Sequence, residues 1–407
     1  MRSDLSHSPD FQAQMQDVAR KMQAWETQAL IGEDAARAIT DRLQFFEHTA
    51  AAVSLTFTGL DGSGDYPMLT YADVFVYLTT AHATTYATHP TPGQGLKELR
   101  VGEELVNIAW LPGAHEVTRQ ETLAAFEAMT GESIGATIEG SDYRNLKPRY
   151  ARMPTQEIID RLVIPQASES GNHAIQLRTV GELSAALRTL RSSAPDYLLY
   201  DSTLALPLTT SGANSLFFEH LKRRVCVVAR ERGTAFVAVS KSPGLPGVDD
   251  IERLALQRVR AEGQPDAVSA EHWYLRLPIP GEDDWAFPPA DGRAVPPPGA
   301  VSYLVRFHRN ATVLRVDVDR AYWHSHLKAE TEAQTRERER TLFQHLDYAG
   351  HDQRSYGYPY PMKAAHNHAS LTATERYTLR SQLIDAAVKA GMNRKLFRDA
   401  SVHTGHH

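Results

Sequence analysis

Two aspartates that follow strand-like segments are the first residues whose type and position could support chemistry. Asp201 follows the run Tyr-Leu-Leu-Tyr at 197–200, and Asp61 follows a β-branched and aromatic segment at 51–60. An uninterrupted apolar run predicts a strand buried on both faces, and open α/β sheets bind ligands outside the carboxyl ends of such strands. Each aspartate also has a simpler explanation, because Asp201 would be solvated in an ordinary loop and Asp61 would belong to a tight hairpin turn.

A glutamate and a late histidine extend this set to an oxygen-rich cation site. Glu182 lies on the helix that precedes Asp201, and His366 lies near the end of the chain. Mg²⁺ and Mn²⁺ favour carboxylate ligands, and a histidine shifts the preference toward Mn²⁺. Such a site suits phosphodiester cleavage, because adjacent cations stabilise the attacking and leaving oxygens of an in-line displacement. Glu182 also stands three residues after Thr179, which is the spacing of a helix capping box.

Other residues with ligand or cationic side chains carry weaker signals. Lys241 ends the strand-like segment 234–241, where a lysine is most often only solvated. His366 and His368 flank an asparagine, and we treat this tripeptide as a coincidence. The terminal histidines form either a weak adventitious metal site or a frayed end; they are His403, His406 and His407.

Alternating strands and helices have to position these residues. The helix that carries Glu182 is predicted to begin at Thr179, and the strand, helix and strand across 197–241 form a βαβ unit. The other predicted elements are two helices within 10–48, a strand through 74–78, a helix at 116–130, an irregular Pro-rich surface insertion at about 275–299, a hairpin at 301–318, a helix at 336–342 and a capped helix from Thr372 to about Gly391.

Composition indicates an ordinary globular protein. The chain has 407 residues, of which 42% are hydrophobic and 23% are charged. No apolar run approaches the roughly 18 residues that span a bilayer, and the N-terminal residues lack the apolar core of a signal peptide. The single cysteine, Cys226, excludes an intramolecular disulfide, fits a reducing cytoplasm and is predicted to pack in a helix.

The net charge gives no support for a nucleic-acid partner. There are 43 basic and 49 acidic residues, for a formal charge of −6. Phosphate binding is usually accompanied by a basic surplus, although the relevant charge is local. Three basic clusters could line a channel or could simply be solvated helix faces; they are 147–149, 222–224 and 336–340.

Several short motifs occur in an order that is similar to that of a known family. These motifs are Leu60-Asp61-Gly62-Ser63, Glu182 placed 19 residues before Asp201, Val237-Ala238-Val239-Ser240-Lys241, Tyr303-Leu304-Val305-Arg306-Phe307, and the segment from Tyr358 to His366. Together they resemble the NurA nuclease family, whose members pair with the HerA hexameric DNA translocase. The resemblance runs from about Val53 to Gly391. One departure is Ser202, because the family often has glycine after this aspartate; serine is tolerated only if the turn does not require positive φ.

The resemblance implies an α/β fold, with an RNase H-like mixed sheet flanked by helices. It divides the chain into an N-terminal helical segment at 1–50, a nuclease domain at 51–391 that includes the Pro-rich insertion, and a tail at 392–407. By position it makes Asp61, Glu182 and Asp201 metal ligands and His366 a ligand or proton donor. It also implies that Tyr358 positions the phosphate or water, and that Lys241 neutralises charge on the scissile phosphate.

The activity that the resemblance implies is a cytoplasmic deoxyribonuclease that uses Mn²⁺, with Mg²⁺ as the alternative and one or two ions per site. It would act 5′ to 3′ on single- and double-stranded DNA ends and as an endonuclease on single strands, in end resection with a HerA-like ATPase. No Gly-x-x-x-x-Gly-Lys-Ser/Thr loop occurs, so the partner would supply the energy of translocation. A homodimer with a basic central channel would reconcile DNA binding with the acidic total charge.

Two alternatives remain open in the sequence. A metal-dependent phosphoesterase for small substrates would have a closed pocket in place of a channel. A catalytically silent DNA clamp or adaptor would keep DNA binding when Asp201 is replaced by alanine. The joint presence of Asp61, Asp201, Tyr358 and His366 argues against the silent clamp, because a scaffold needs none of them.

Overall fold

The structure, a computed structural model, describes residues 8–26, 32–48, 53–64, 67–72, 74–91, 94–102, 104–112, 115–146, 152–162, 170–205, 216–245, 247–261, 272–287, 299–308 and 310–398. The strands are β1 (Gln44–Phe45), β2 (Thr56–Ser63), β3 (Leu69–Tyr71), β4 (Val74–Thr88), β5 (Leu96–Val101), β6 (Leu105–Pro112), β7 (Tyr197–Tyr200), β8 (Ala235–Ser240), β9 (Trp273–Arg276), β10 (Ala300–Arg306), β11 (Leu314–Asp319) and β12 (Phe397–Arg398).

The helices are α1 (Pro9–Glu26), α2 (Glu33–Thr40), α3 (His115–Thr130), α4 (Ile134–Glu139), α5 (Tyr143–Leu146), α6 (Thr155–Leu162), α7 (Ser170–Ser192), α8 (Leu216–Glu231), α9 (Val248–Ala261), α10 (Arg320–Tyr322), α11 (Glu332–Gly350), α12 (Tyr360–Ala369) and α13 (Ala373–Lys389). A π-helical turn at Trp323–Leu327 follows α10, and a 3₁₀ turn at Arg394–Leu396 precedes β12. Among the helices described, none is long and apolar enough to cross a membrane.

One mixed sheet of 12 strands runs through the described part of the chain. Its centre has the order β6-β4-β2-β7-β8, in which β4 is antiparallel to β2 and β6, while β7 is parallel to β2 and β8. In chain order this is the arrangement 3-2-1-4-5 with only the second strand reversed. The predicted RNase H-like mixed sheet is therefore confirmed.

Two apolar layers cover the two faces of this sheet. Residues alternate between the faces along a strand, so Leu60 packs with α3, α7 and α8, while Phe57 packs with α11 and α12. The four residues of β7 are all buried, because this strand is central and covered on both sides. Both layers converge on β2 and β7, the strands that carry the two candidate aspartates.

Most predicted elements are present, with shifted ends. The βαβ unit, the hairpin formed by β10 and β11, the buried Cys226 in α8 and the capping box at Thr372 are confirmed. Two helices lie near the N-terminus, but α2 ends at Thr40 and is followed by β1. The helix that carries Glu182 begins at Ser170, so its predicted start at Thr179 is wrong.

The Pro-rich segment and the C-terminal residues also contact the sheet. Leu277, Ile279 and Phe287 are buried, so the first part of the Pro-rich segment contributes to the core; residues 288–298 lie outside the described residues. Phe397 and Arg398 pair with β3 at the edge of the sheet. The division into domains at 50 and 391 stays a prediction.

Candidate active site

The two aspartates lie side by side on parallel strands. Leu60 is the partner of Tyr200 in the pairing of β2 with β7, so Asp61 and Asp201 follow at the same level of the sheet. Asp61 is buried, whereas the Asp201 carboxylate is one-third exposed. β2 continues through Ser63, so the expectation that Asp61 closes a strand and opens a turn is wrong.

The departure from the family at Ser202 causes no backbone strain. Among the described non-glycine residues, only Ala72 has a positive φ. Ser202 therefore occupies a backbone region that any residue adopts, and the turn after Asp201 does not require glycine.

Glu182 reaches the aspartates from α7, on one face of the sheet. It lies in the interior of this helix, so the capping-box explanation is wrong. A side chain at Gly62 would place its Cβ 2.8 Å from Cγ of Glu182. Gly62 is therefore needed because the glutamate side chain occupies the space above it, next to Asp61.

His366 reaches Asp61 from α12, on the other face. The helix lies directly on β2 at Gly59, where a Cβ would come within 2.2 Å of the Pro361 backbone. This close packing places Nδ1 of His366 2.5 Å from Oδ2 of Asp61. The imidazole is 61% exposed, so it forms the solvent side of the site while Asp61 and Glu182 form its base.

Lys241 and Tyr358 lie at the rim beside Asp201. Nζ of Lys241 donates to Oδ2 of Asp201 at 3.3 Å and lies 4.3 Å from the centre of the Tyr358 ring. Burial raises the pKa of the Tyr358 hydroxyl, and the nearby carboxylates of Asp201 and Asp61 raise it further. Tyr358 therefore stays protonated and can donate a hydrogen bond.

Arg178 belongs to this site and was missed in the sequence. Its Nε donates to Oε1 of Glu182 at 2.8 Å, and its Nη2 lies 3.4 Å from Oδ1 of Asp61. The guanidinium thus bridges two of the three carboxylates, in the position that a cation would be expected to take. The available signal was its place four residues before Glu182, on the same helix face.

The electrostatics of the site fit a bound cation. Burial raises the pKa of Glu182 to about 7, and the negative charges of Asp61 and Asp201 add to this shift against the opposing effect of Arg178. Three carboxylates that repel one another and an imidazole are a donor set that Mn²⁺ accepts. Asp61, Glu182, Asp201 and His366 are the residues that would hold it.

All six predicted site residues thus lie in one region, but one of the basic clusters is elsewhere. Arg223 is buried among aspartates, and Lys222 is buried against Glu219, so the cluster 222–224 cannot line a channel. In 336–340, Arg336 and Arg340 pair with glutamates on their own helix, as on a solvated helix face. Residues 147–149 lie outside the described residues.

The fold and site define an RNase H-like protein with a carboxylate–histidine centre. Neither a scan of protein families nor a search of curated proteins finds a match. Among solved structures, the NurA nuclease from Sulfolobus solfataricus matches with a TM-score of 0.48 and 13% identity, over 97% of this chain and 99% of that chain. A structure of NurA bound to dAMP and manganese matches with a TM-score of 0.41 and 11% identity, over 94% and 98%.

A further structure, of NurA with manganese, matches with a TM-score of 0.36 and 12% identity, over 94% of this chain and 99% of that chain. These neighbours carry the family name that the sequence motifs indicate. At such identities and TM-scores they assign no residue and no activity to this chain.

Proposed function

We propose that this protein is a metal-dependent nuclease that hydrolyses phosphodiester bonds in DNA with Mn²⁺. The observation that supports this most directly is that Arg178 bridges Asp61 and Glu182, His366 contacts Asp61, and Asp201 follows the neighbouring strand at the same level of the sheet. Lys241 and Tyr358 stand beside Asp201 at the rim. Five different elements contribute to one small region, which a structural ion pair does not require.

The metal would be held by Asp61, Glu182 and Asp201, with His366 as a further ligand or as a proton donor. When bound, Mn²⁺ would stabilise the negative charge on the oxygens that attack and leave in an in-line displacement. Glu182 binds in its ionised form, so it gives up a proton that the buried environment otherwise retains. Arg178 has to leave its place between Glu182 and Asp61.

The residues at the rim bind and orient the phosphate. Lys241 carries a positive charge next to Asp201 and neutralises charge that builds on the non-bridging oxygens. The Tyr358 hydroxyl, which stays protonated, donates a hydrogen bond to the phosphate or to the attacking water. The Lys241 ammonium lies over the Tyr358 ring, which fixes both groups on the same side of Asp201.

His366 can transfer a proton at the solvent side. Asp61 accepts at Nδ1 and orients the ring, which leaves Nε2 near Oγ of Ser370 at 3.4 Å. In this role Nε2 protonates the leaving oxygen of the cleaved strand. The same ring is exposed, so it can reach a strand that lies across the opening.

The openness of the site favours a polymer over a small phosphoester. The side chains of Lys241 and His366 are each 61% exposed, and Asp201 is 34% exposed. Small-molecule sites enclose most of their ligand. A metal-dependent phosphoesterase for small substrates therefore fits this arrangement less well, although it shares the chemistry.

The finer parts of the proposal rest on the resemblance of the sequence motifs to NurA. They are 5′ to 3′ digestion of DNA ends, endonuclease activity on single strands, a cytoplasmic location, a homodimer with a basic channel, and end resection with a HerA-like ATPase. The surfaces proposed for docking the ATPase are the Pro-rich segment and the N-terminal helices, of which α1 is the longer. Its apolar side chains are exposed; they are Phe11, Met15, Val18 and Met22.

The test is digestion of single- and double-stranded DNA, labelled at the 5′ or the 3′ end, with Mn²⁺, Mg²⁺ or EDTA. Wild type is compared with Asp201→Asn and with Asp249→Asn, an exposed aspartate on α9 that serves as the matched control. We expect cleavage with Mn²⁺ in wild type and in Asp249→Asn, and loss of cleavage in Asp201→Asn.

Other outcomes separate the alternatives. DNA binding without cleavage in every protein, even with a HerA-type ATPase and ATP, would support the silent clamp. Hydrolysis of a small phosphodiester without action on DNA would support the phosphoesterase. Cleavage that survives in Asp201→Asn would place the chemistry elsewhere.

A further inference from the structure

A second group of metal-ligating side chains lies outside the candidate active site. His48 follows β1, His272 precedes β9, Asp347 lies in the last turn of α11 and His351 comes directly after that helix. One ligand atom from each of the four lies within 4.8 Å of the other three. None of these residues belongs to the site formed by Asp61, Glu182 and Asp201, so the proposed nuclease function does not explain them.

Asp347 stands at the centre of this group. Its Oδ2 lies 2.5 Å from Nδ1 of His48, and its Oδ1 lies 3.4 Å from Nε2 of His272. The ring of His351 lies against the ring of His48, with 3.8 Å between their centres. Three imidazoles therefore surround one carboxylate, and they come from segments that are far apart in the sequence.

A nearby positive charge would stabilise the carboxylate of Asp347. Its side chain is fully buried, and Oδ1 accepts no hydrogen bond from the described residues. A buried carboxylate is costly unless it is paired, and the C-terminal end of a helix adds a negative potential. The negative potential at the end of α11 therefore destabilises the Asp347 carboxylate. A cation among the imidazoles would offset both this potential and the cost of burying the carboxylate.

We propose that His48, His272, Asp347 and His351 form a Zn²⁺ site. Three nitrogens and one oxygen suit a borderline cation such as Zn²⁺, whereas the oxygen-rich candidate active site suits Mn²⁺. Zn–N and Zn–O bonds of about 2.0–2.2 Å in a tetrahedron correspond to ligand atoms about 3.4 Å apart. To bind the ion, ligand atoms that lie up to 4.8 Å apart have to approach one another, while Nδ1 of His48 and Oδ2 of Asp347 have to move apart from 2.5 Å.

The role of this ion is structural. Four protein ligands close a tetrahedral shell, which leaves no open position for a substrate. The ion joins β1 and β9, which pair at the end of the sheet, to the C-terminal end of α11. His351 is exposed and the other three are more buried, so the ion enters and leaves from the side of His351.

The experiment measures metal content and affinity in the full-length protein. All samples carry Asp61→Asn, which weakens the candidate active site, and the substitutions His403→Gln, His406→Gln and His407→Gln, which remove the terminal histidines. The test variant adds His48→Gln and His351→Gln. The control adds His324→Gln and His326→Gln, two exposed histidines outside the group. Each protein is stripped with EDTA, equilibrated with Zn²⁺ or Mn²⁺, desalted and analysed for metal by mass spectrometry.

We expect the control to retain one Zn²⁺ per chain and little Mn²⁺, and to melt at a higher temperature with Zn²⁺ than with EDTA. The test variant is expected to lose at least about a hundred-fold in Zn²⁺ affinity, because two ligands are gone, and to show no zinc-dependent rise in melting temperature. His351→Cys alone, which supplies a thiolate ligand, is expected to retain the ion.

The proposal is overturned if the test variant binds Zn²⁺ as tightly as the control, or if Mn²⁺ is retained in preference to Zn²⁺. Absence of bound Zn²⁺ in the control would also overturn it, and would leave a His–Asp hydrogen-bonded group without metal. Circular dichroism of the single variant His351→Gln, at an exposed position, separates loss of the site from loss of the fold.

Discussion

Two regions of this molecule place buried aspartates against arginines, and they do so with different charge balances. In the first, Asp142 and Asp319 meet Arg223 and Arg230 between α5, α8 and β11. We call these four residues the arginine–aspartate network. In the second, the candidate active site, Asp61 and Glu182 share Arg178 at the base, and Lys241 pairs with Asp201 at the solvent side.

The protonation of the carboxylates reflects this difference. Although burial opposes it, hydrogen bonds and charge from Arg223 and Arg230 lower the pKa of Asp142. At the candidate active site burial and the neighbouring carboxylates raise the pKa of Glu182 to about 7 in spite of Arg178. Removal of one partner from a balanced buried group is strongly destabilising, whereas an excess of buried negative charge with a raised carboxyl pKa is typical of a functional site.

The largest effect on stability is expected from Asp319→Asn in the network. The change leaves the buried Arg223 without one of its two carboxylates and should lower the free energy of unfolding by about 3–5 kcal/mol. Asparagine can still accept from Tyr322 N at the start of α10, so the helix cap is kept. Urea denaturation measures the loss, with Asp249→Asn as control. A change below about 1 kcal/mol would contradict a structural role for the network.

Asp61→Asn in the candidate active site is expected to lower activity and to leave stability unchanged or higher, in contrast to Asp319→Asn. Asparagine keeps the hydrogen bond from Gly62 N but removes a metal ligand and a charge that repels Glu182. We expect kcat/KM with Mn²⁺ to fall by more than about a hundred-fold, because loss even of a group behind the ligands costs about 10–100-fold. Stability in EDTA should be unchanged or higher. A large loss of stability together with retained cleavage would mean that Asp61 has a structural role and not a catalytic one.

A pH dependence should distinguish the candidate active site from the network in the metal-free protein. The folded state holds the Glu182 proton up to a pKa of about 7, compared with an ordinary value of 4.5, so unfolding releases a proton between these values. This contribution to stability is present below pH 4.5 and declines as the pH rises to 7, by about 3 kcal/mol.

Denaturation in EDTA at several pH values tests this expectation. The difference between wild type and Glu182→Gln should grow from pH 4.5 to 7 in favour of the variant, because glutamine stays neutral. The network variant Asp319→Asn, compared with wild type, should show no such trend in this window. Parallel curves for wild type and Glu182→Gln would mean that Glu182 is ionised throughout.

Some of this site follows from local sequence, because strand ends are local signals. An apolar run that stops at one polar residue predicts Asp201 at the carboxyl end of a strand, and the structure has it there. The ends of other elements were wrong where tertiary packing extends them. Ala174 and Leu177 continue the buried stripe of α7 before Thr179, and Gly62 and Ser63 keep pairing with β4 beyond Asp61.

Roles that depend on tertiary contacts could not be predicted from the sequence. The role of Arg178 depends on how closely α7 approaches β2 over Gly62, and no periodicity encodes that distance. The four residues of the proposed Zn²⁺ site come from three distant segments that only the assembled sheet brings together. The buried position of Arg223 was missed because a basic cluster looks the same whether its partners are water or aspartates.

The smallest effect, and the one that sharpens the comparison most, is expected from Arg178→Gln. If Arg178 occupies the position of the metal, its removal lowers the free-energy cost of metal binding, because no ion pair with Glu182 and Asp61 has to be broken. We expect Mn²⁺ to bind about tenfold more tightly, which corresponds to about 1.4 kcal/mol, while stability in EDTA falls by about 1 kcal/mol.

Calorimetric titration with Mn²⁺ and denaturation in EDTA provide the two readouts, and neither depends on catalysis. Arg188→Gln, on the same helix and bonded to backbone carbonyls of α3, is the matched control and should not change Mn²⁺ affinity. In the arginine–aspartate network, Arg230→Gln should lower stability without creating a cation site, because Arg223 still balances part of the charge. If Arg178→Gln weakened Mn²⁺ binding instead, the arginine would be organising the carboxylates for the ion, and an excess of negative charge alone would not explain the site.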